Sequence, residues 1–99
     1  MNINITELLD KQKSFTDLNI IDIRSKYQYD LGHILKAKNI PQEYLLISPE
    51  RYLNKNRLYY IYCQYGVSSK AVADRLNTLG YKTISINGGY NSYKMLKSI

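Results

Sequence analysis

Cys63 is the only cysteine in the 99-residue sequence, and it stands between a predicted strand and a predicted helix. An apolar run at 58–62 ends directly before it, and the short polar segment 64–69 follows it. A tight loop between a strand and a helix aims backbone N–H groups at negative charge above the loop. A thiol held there has a pKa below the free value of about 8.5, because the helix N-terminus favours the thiolate. Cys63 is therefore a candidate nucleophile.

A lone cysteine at a strand end can instead be an ordinary core residue, since free cysteine is among the most buried residue types. The residues after Cys63 favour chemistry. Gly66 can turn the backbone sharply and expose its amide. The hydroxyls of Ser68 and Ser69 can hydrogen-bond to sulfur, and Ser69 is also placed to cap the next helix. Tyr65 belongs to the same loop and is expected to shape the mouth of the pocket.

Composition narrows the class of protein. Hydrophobic residues make up 44% and charged residues 22%, which fits one globular domain over 1–99. The net charge is +6, but the basic residues are scattered, so nucleic-acid binding is not favoured.

We expect no cofactor, no metal and no membrane partner, because zinc spacing, a phosphate-binding glycine loop and a long apolar run are all missing. One cysteine and an N-terminus without a signal-peptide pattern indicate the cytoplasm, and the Ile-, Asn-, Lys- and Tyr-rich composition is associated with a bacterial source.

The positioning elements follow from hydrophobic periodicity and capping signals. Asn4 and Glu7 form a capping-box pattern for a first helix, and Ser25 and Gly32 bracket a second short one. Further helices are predicted from Pro49, at about 69–79, and after 88–89. Four strands are predicted, at 18–23, 37–40, 58–62 and 82–86.

Strands that alternate with helices over short connections predict an α/β fold with a parallel sheet covered on both faces. Ligands bind such sheets beyond the carboxyl ends of the strands. Asp22 and Arg24 end one strand and Cys63 ends another, so all three are expected on one rim. The helix after Cys63 is expected to pack through Ala71, Val72, Leu76 and Leu79.

Three segments in this order and spacing resemble the rhodanese family of sulfurtransferases, nearest to its single-domain bacterial thiosulfate sulfurtransferases. The first is IDIR at 21–24, followed by Tyr29, GHI at 32–34 and NIP at 39–41. The second is YCQYGVSSK at 62–70, which matches the active-site loop. The third is LGY at 79–81 with NGGYNSY at 87–93.

The resemblance implies a rhodanese-like domain with about five parallel strands and sulfur transfer through a persulfide on Cys63. A small anionic donor such as thiosulfate, or a small persulfide, would supply sulfur, and cyanide or a thiol, or else a protein acceptor, would take it. The loop residues Gln64, Tyr65, Gly66, Val67, Ser68 and Ser69 would bind substrate. Asp22, Arg24 and Lys70 would support them, and the Gly-His-Ile segment makes His33 a structural residue.

Two departures from the family pattern bear on the donor. Many relatives have arginine at the position of Ser68 and glutamate at that of Gln28, so this chain replaces a charged pair by two neutral residues. The loop is less positive as a result, and thiosulfate binds less well unless Lys70 or Arg24 compensates. Tyr93 stands where relatives have tryptophan, which keeps an aromatic residue in the core.

Three other functions are compatible with parts of the sequence. The family's phosphatase-like cousins carry Cys-x5-Arg, but the sixth residue after Cys63 is Ser69, which disfavours phosphatase chemistry. A non-catalytic rhodanese-like module that binds a protein or carries sulfur is the main alternative, and the intact cysteine argues against it. Nucleic-acid binding rests on net charge alone.

Overall fold

The computed structural model describes residues 1–15 and 17–98. Within these residues, five strands form one sheet: β1 (Asn2–Ile3), β2 (Asn19–Asp22), β3 (Lys38–Asn39), β4 (Leu58–Tyr62) and β5 (Lys82–Ile86). Their order is β1-β5-β4-β2-β3, and every pairing is parallel. The predicted parallel sheet of five strands is confirmed. Because β4 is central, the residue after it lies on the rim where ligands bind in such sheets.

Four α-helices and one 3-10 turn connect the strands in the described residues, and a fifth helix follows the last strand. They are α1 (Ile5–Ser14), α2 (Lys26–Leu31), α3 (Gln42–Ile47), the turn Pro49–Arg51, α4 (Val67–Thr78) and finally α5 (Gly89–Lys97). Alternate residues of β4 face opposite sides of the sheet, as the period of two in a strand requires. Ile61 packs in the cluster that holds Leu45 of α3 and Leu76 of α4. Tyr60 packs on the other face with Leu8 of α1 and with α5. Both faces are therefore covered.

The capping signals in the sequence correctly mark two helices. The Asn4 side chain accepts from the Glu7 N–H, and the Glu7 side chain accepts from the Asn4 N–H, which starts α1 as a capping box. Ser25 Oγ accepts from the Gln28 N–H at the start of α2, and Gly32 ends that helix. This fixes the short helix next to the rim of β2.

The structure differs from the predicted elements in five respects. The helix predicted from Pro49 is a single 3-10 turn, Pro49–Arg51. The two-residue strand β1 and helix α3 were not predicted, the first because it is too short for a period and the second because it follows Pro41 without a capping side chain. Helix α4 starts at Val67, so Gly66 rather than Ser69 is its N-cap residue. Its buried face consists of Ser69, Val72, Ala73 and Leu76, whereas Ala71 and Leu79 are exposed.

In the part of the chain that the structure describes, no helix combines the length and the apolar character needed to cross a bilayer.

Candidate active site

Three hydrogen bonds converge on the sulfur of Cys63, directly after central strand β4. The N–H of Gly66 lies 3.1 Å from Sγ and the N–H of Ser69 lies 3.3 Å from it. The hydroxyl oxygen of Ser69 lies 3.4 Å from the same atom. Cys63 is only 7% exposed, but its sulfur faces donors rather than apolar atoms alone. This contact set suits an anion and distinguishes Cys63 from an ordinary core cysteine.

The pKa of Cys63 reflects a competition that the hydrogen bonds win. Burial on its own raises the pKa of the thiol, since it disfavours the charged form. The nearby hydroxyl of Ser68, together with hydrogen bonds from the hydroxyl and N–H of Ser69 and the N–H of Gly66, lowers this pKa further than burial raises it. The net effect is a pKa below the ordinary value of a cysteine, which favours the thiolate.

Of the loop amides expected at residues 64–69, two reach the sulfur in the described hydrogen bonds, those of Gly66 and Ser69. Gly66 has a φ of +90°, a left-handed conformation that side chains rarely adopt. A Cβ at this position would lie 2.7 Å from the backbone N of Gly88. The glycine therefore lets the loop turn tightly enough to bring its amide to the sulfur.

The N-terminus of α5 holds the start of the loop from the other side. The N–H of Tyr90 donates to the carbonyl of Cys63 at 2.9 Å, and the N–H of Asn91 donates to that of Gln64 at 2.9 Å. A Cβ on Gly89 would collide with the Cys63 carbonyl oxygen, so only glycine fits there. Two N–H groups in the first turn of α5, which have no partner within the helix, thus donate to the backbone of the loop.

Asp22 and Arg24 form a buried ion pair at the end of β2. Arg24 Nη2 lies 2.7 Å from Asp22 Oδ2, and the two side chains are 4% and 0% exposed. Burial lowers the pKa of Arg24, but the hydrogen bond and charge of Asp22 outweigh it, and the pKa of Arg24 is raised. Nη1 donates to the side-chain oxygen of Gln64 at 3.0 Å, and Nη2 donates to the carbonyl of Gly32. Arg24 therefore links the rim of β2 to the loop through Gln64.

The remaining predicted residues lie around this centre. Tyr65 and Val67 are 66% and 79% exposed and form the outer surface of the loop, while Ser68 is half-buried. Lys70 is exposed in the first turn of α4, and among the residues described its side chain makes no hydrogen bond or ion pair. Gln28 Oε1 accepts from the hydroxyl of Ser25, and within residues 1–15 and 17–98 no hydrogen bond joins Gln28 to Ser68.

His33 lies outside the Cys63 contact set. Its ring stacks on that of Tyr29 with centroids 3.7 Å apart, and Nδ1 lies 2.9 Å from the Tyr29 carbonyl oxygen. Within the described ranges, no three His, Cys, Asp or Glu side chains lie close enough together to hold a metal ion.

Three participants were not identified from the sequence. Ser85 on β5 lies 2.8 Å, oxygen to oxygen, from Ser69, and Tyr90 and Asn91 bind the loop carbonyls. The usable signal for Ser85 was a hydroxyl at a buried position of an apolar strand, where a polar group needs a partner. The signal for α5 was the Gly88-Gly89 pair at the start of a helix.

Known proteins share both this sequence pattern and this fold. The family model described as "Rhodanese-like domain" matches residues 4–96. The chain belongs to the rhodanese-like domain family. It is 32% identical over 79 residues to thiosulfate sulfurtransferase GlpE of Coxiella burnetii, which covers 79% of this chain and 73% of that protein.

Two further likenesses extend over more of the chain. The crystal structure of a rhodanese-like domain protein from Staphylococcus aureus superposes with a TM-score of 0.85 at 31% identity, covering 94% of this chain and 91% of that one. A tRNA sulfurtransferase of Thermoplasma acidophilum is 34% identical over 92 residues, which are 93% of this chain and 17% of that protein. The rhodanese-like fold and the likeness to sulfurtransferases therefore hold along nearly the whole chain.

Proposed function

We propose that this rhodanese-like protein transfers sulfane sulfur through a persulfide on Cys63. The donor would be thiosulfate or a small persulfide, and the acceptor cyanide or a thiol. The observation that carries the proposal is the convergence of the Gly66 and Ser69 amides and the Ser69 hydroxyl on one sulfur atom. Membership of a family that includes sulfurtransferases supports the same reaction class.

In the first step the Cys63 thiolate attacks the outer sulfur of thiosulfate. The new S–S bond forms to Cys63 as the bond inside thiosulfate breaks, and sulfite leaves with the bonding electron pair. The charge is conserved, because a thiolate and a dianion become a persulfide anion and a sulfite dianion. No proton moves in this step, so the site needs an ionised thiol and fixed donors rather than a general base.

In the second step an acceptor anion attacks the outer sulfur of the persulfide. Cyanide leaves as thiocyanate, or a thiolate leaves as a new persulfide, and Cys63 returns as a thiolate. Both resting and loaded states carry one negative charge at the loop, which hydrogen-bond donors already in place stabilise without reorganisation. The same loop therefore serves both half-reactions.

The choice of donor is expected to follow the charge of the loop. Residues 64–69 carry no charged side chain, and the buried Arg24 is already paired with Asp22. In this proposal Gln64, Tyr65, Val67 and Ser68 shape the approach to the sulfur, and Lys70 is the positive charge nearest to this loop along the chain. A singly charged persulfide donor therefore meets a smaller electrostatic disadvantage than doubly charged thiosulfate does.

The direct test is mass spectrometry of the intact protein after incubation with thiosulfate and, separately, with a small organic persulfide. We expect a gain of one sulfur, located by peptide analysis on Cys63 and removed by cyanide or by a thiol. Protein with Cys63 alkylated beforehand is the control and should gain nothing.

Failure to gain sulfur from any donor would contradict the enzyme proposal. It would favour a non-catalytic rhodanese-like module that binds a partner protein. A sulfur that is gained but never released to an acceptor would indicate a carrier rather than a transferase.

A further inference from the structure

The hydroxyl of Ser69 has two hydrogen-bond neighbours, the thiol of Cys63 and the hydroxyl of Ser85. Its oxygen is 3.4 Å from Cys63 Sγ and 2.8 Å from Ser85 Oγ. Ser69 and Ser85 are 0% and 1% exposed, so water does not compete for these contacts. The three side chains form one buried row that runs from Cys63, just after β4, through Ser69 of α4 to Ser85 of β5.

Ser85 has no other hydrogen-bond partner for its hydroxyl among the residues that the structure describes. The three atoms of the row, the sulfur of Cys63 and the hydroxyl oxygens of Ser69 and Ser85, are joined by two hydrogen bonds, and each hydrogen bond uses one proton. When Cys63 is a thiol the row contains three protons, so one of them lacks an acceptor within the row. When Cys63 is a thiolate the row contains two protons, and both are used.

The fully bonded arrangement has a direction. Ser85 donates to Ser69 Oγ, and Ser69 then has its own proton free to donate to the sulfur. The count is unchanged when a second sulfur is attached, since the inner sulfur again carries no proton. Leaving a buried hydroxyl proton without an acceptor is costly, so the row favours the unprotonated sulfur.

We propose that Ser85 is a positioning residue of the Cys63 site, whose hydroxyl orients the Ser69 hydroxyl toward the sulfur and so favours the ionised, sulfur-loading form. Ser85 acts through Ser69 and does not touch the sulfur. The inference rests on the proposed role of Cys63, but the ionisation of Cys63 can be measured whether or not the protein transfers sulfur.

Charged groups on the surrounding elements do not account for the effect. Asp22, the last residue of β2, and Arg24, just after it, pair with each other, and Lys70 on α4 and Lys82 on β5 are exposed. In the described part of the chain none of these four makes a hydrogen bond or ion pair with any atom of the row. Substitution of Ser85 removes no charge, so a change in Cys63 ionisation would report the hydroxyl.

The test is the rate of Cys63 alkylation by iodoacetamide as a function of pH in Ser85→Ala. We expect the midpoint to move to higher pH, with an ionised fraction below the midpoint about threefold to tenfold smaller than in wild type. Thr83→Val is the matched control: Thr83 lies two residues earlier on the same strand, and its hydroxyl bonds the Ala73 carbonyl and Asn77 Oδ1 instead. Its midpoint should stay at the wild-type value.

Two substitutions of equal size distinguish the effect of losing the hydroxyl from the effect of altered packing. Ser85→Thr keeps a hydroxyl and Ser85→Val replaces it by a methyl group, so the two add the same bulk. Threonine should keep a midpoint close to wild type, and valine should reproduce the shift of alanine. Removing Ser69 first, in Ser69→Ala, should abolish any further effect of Ser85→Ala.

A Ser85→Ala midpoint equal to that of wild type, or equal midpoints for the threonine and valine variants, would overturn the role of Ser85. Sulfur loading is measured in parallel by mass. If wild type gains no sulfur while the midpoints still shift, the proposed function fails and the positioning role stands.

Discussion

Cys63→Ser is expected to abolish sulfur transfer, with turnover reduced roughly 10³-fold or more, because the serine hydroxyl does not ionise near neutral pH. The serine oxygen can still accept from the Gly66 and Ser69 N–H groups that now reach the sulfur. The fold should therefore survive the change. Thiocyanate production from thiosulfate and cyanide measures turnover, and the thermal melting curve checks folding.

A folded Cys63→Ser protein that kept more than a few per cent of wild-type turnover would show that another group carries the sulfur. Tyr65→Ala serves as a control within the same loop. Tyr65 is 66% exposed, so its removal should change substrate affinity more than it changes the capacity of Cys63 to accept sulfur.

Arg24→Ala is expected to destabilise the protein by about 3–5 kcal/mol, because it leaves the fully buried Asp22 carboxylate without its partner. The substitution also removes donors to the Gly32 carbonyl and to Gln64, so the loop loses its tie to β2. Urea unfolding followed by circular dichroism measures the loss in the free energy of unfolding. This loss is a large share of the stability of a domain of this size.

Lys26→Ala is the matched control, because Lys26 and Asp30 also form an ion pair, at 2.6 Å, but their side chains are 78% and 55% exposed. An exposed pair contributes less than about 1 kcal/mol. Equal losses in the free energy of unfolding for the Lys26 and Arg24 variants would mean that burial of the Asp22–Arg24 pair does not increase its contribution to stability.

Strong periodic signals made most of the fold predictable from the sequence. The apolar run at 58–62 became the central strand β4, because a strand buried on both faces needs continuous apolar residues. The capping residues Asn4 and Ser25 started α1 and α2 as expected. Helix α3 was missed because its N-cap residue is Pro41, which offers no side-chain hydrogen bond to detect.

The part of the site formed by consecutive residues was predictable from the sequence, but the residues contributed by distant segments were not. The loop after Cys63 could be found because its residues are consecutive, and the two amides that reach the sulfur lie within it. Ser85 and Tyr90 come from segments distant in sequence from Cys63. Ser85 lies near the site because β5 is the neighbour of β4 in the sheet, and the sequence does not show this strand order. The ion pair between Asp22 and Arg24 was also not predicted. The sequence placed both residues on the rim but did not indicate that their side chains contact each other.

The most direct test of the account is the pKa of Cys63 in the wild-type protein, measured from the pH dependence of its alkylation beside a free thiol in the same buffers. Amide and hydroxyl donors lower this pKa, so the ionised form persists to lower pH than in the free thiol and is lost as the pH falls through the lowered value. We therefore expect the midpoint of the reactivity curve to lie at lower pH than the midpoint of the free thiol. A midpoint at or above that of the free thiol would mean that burial outweighs the hydrogen bonds, and Cys63 would then be a core cysteine rather than a sulfur carrier.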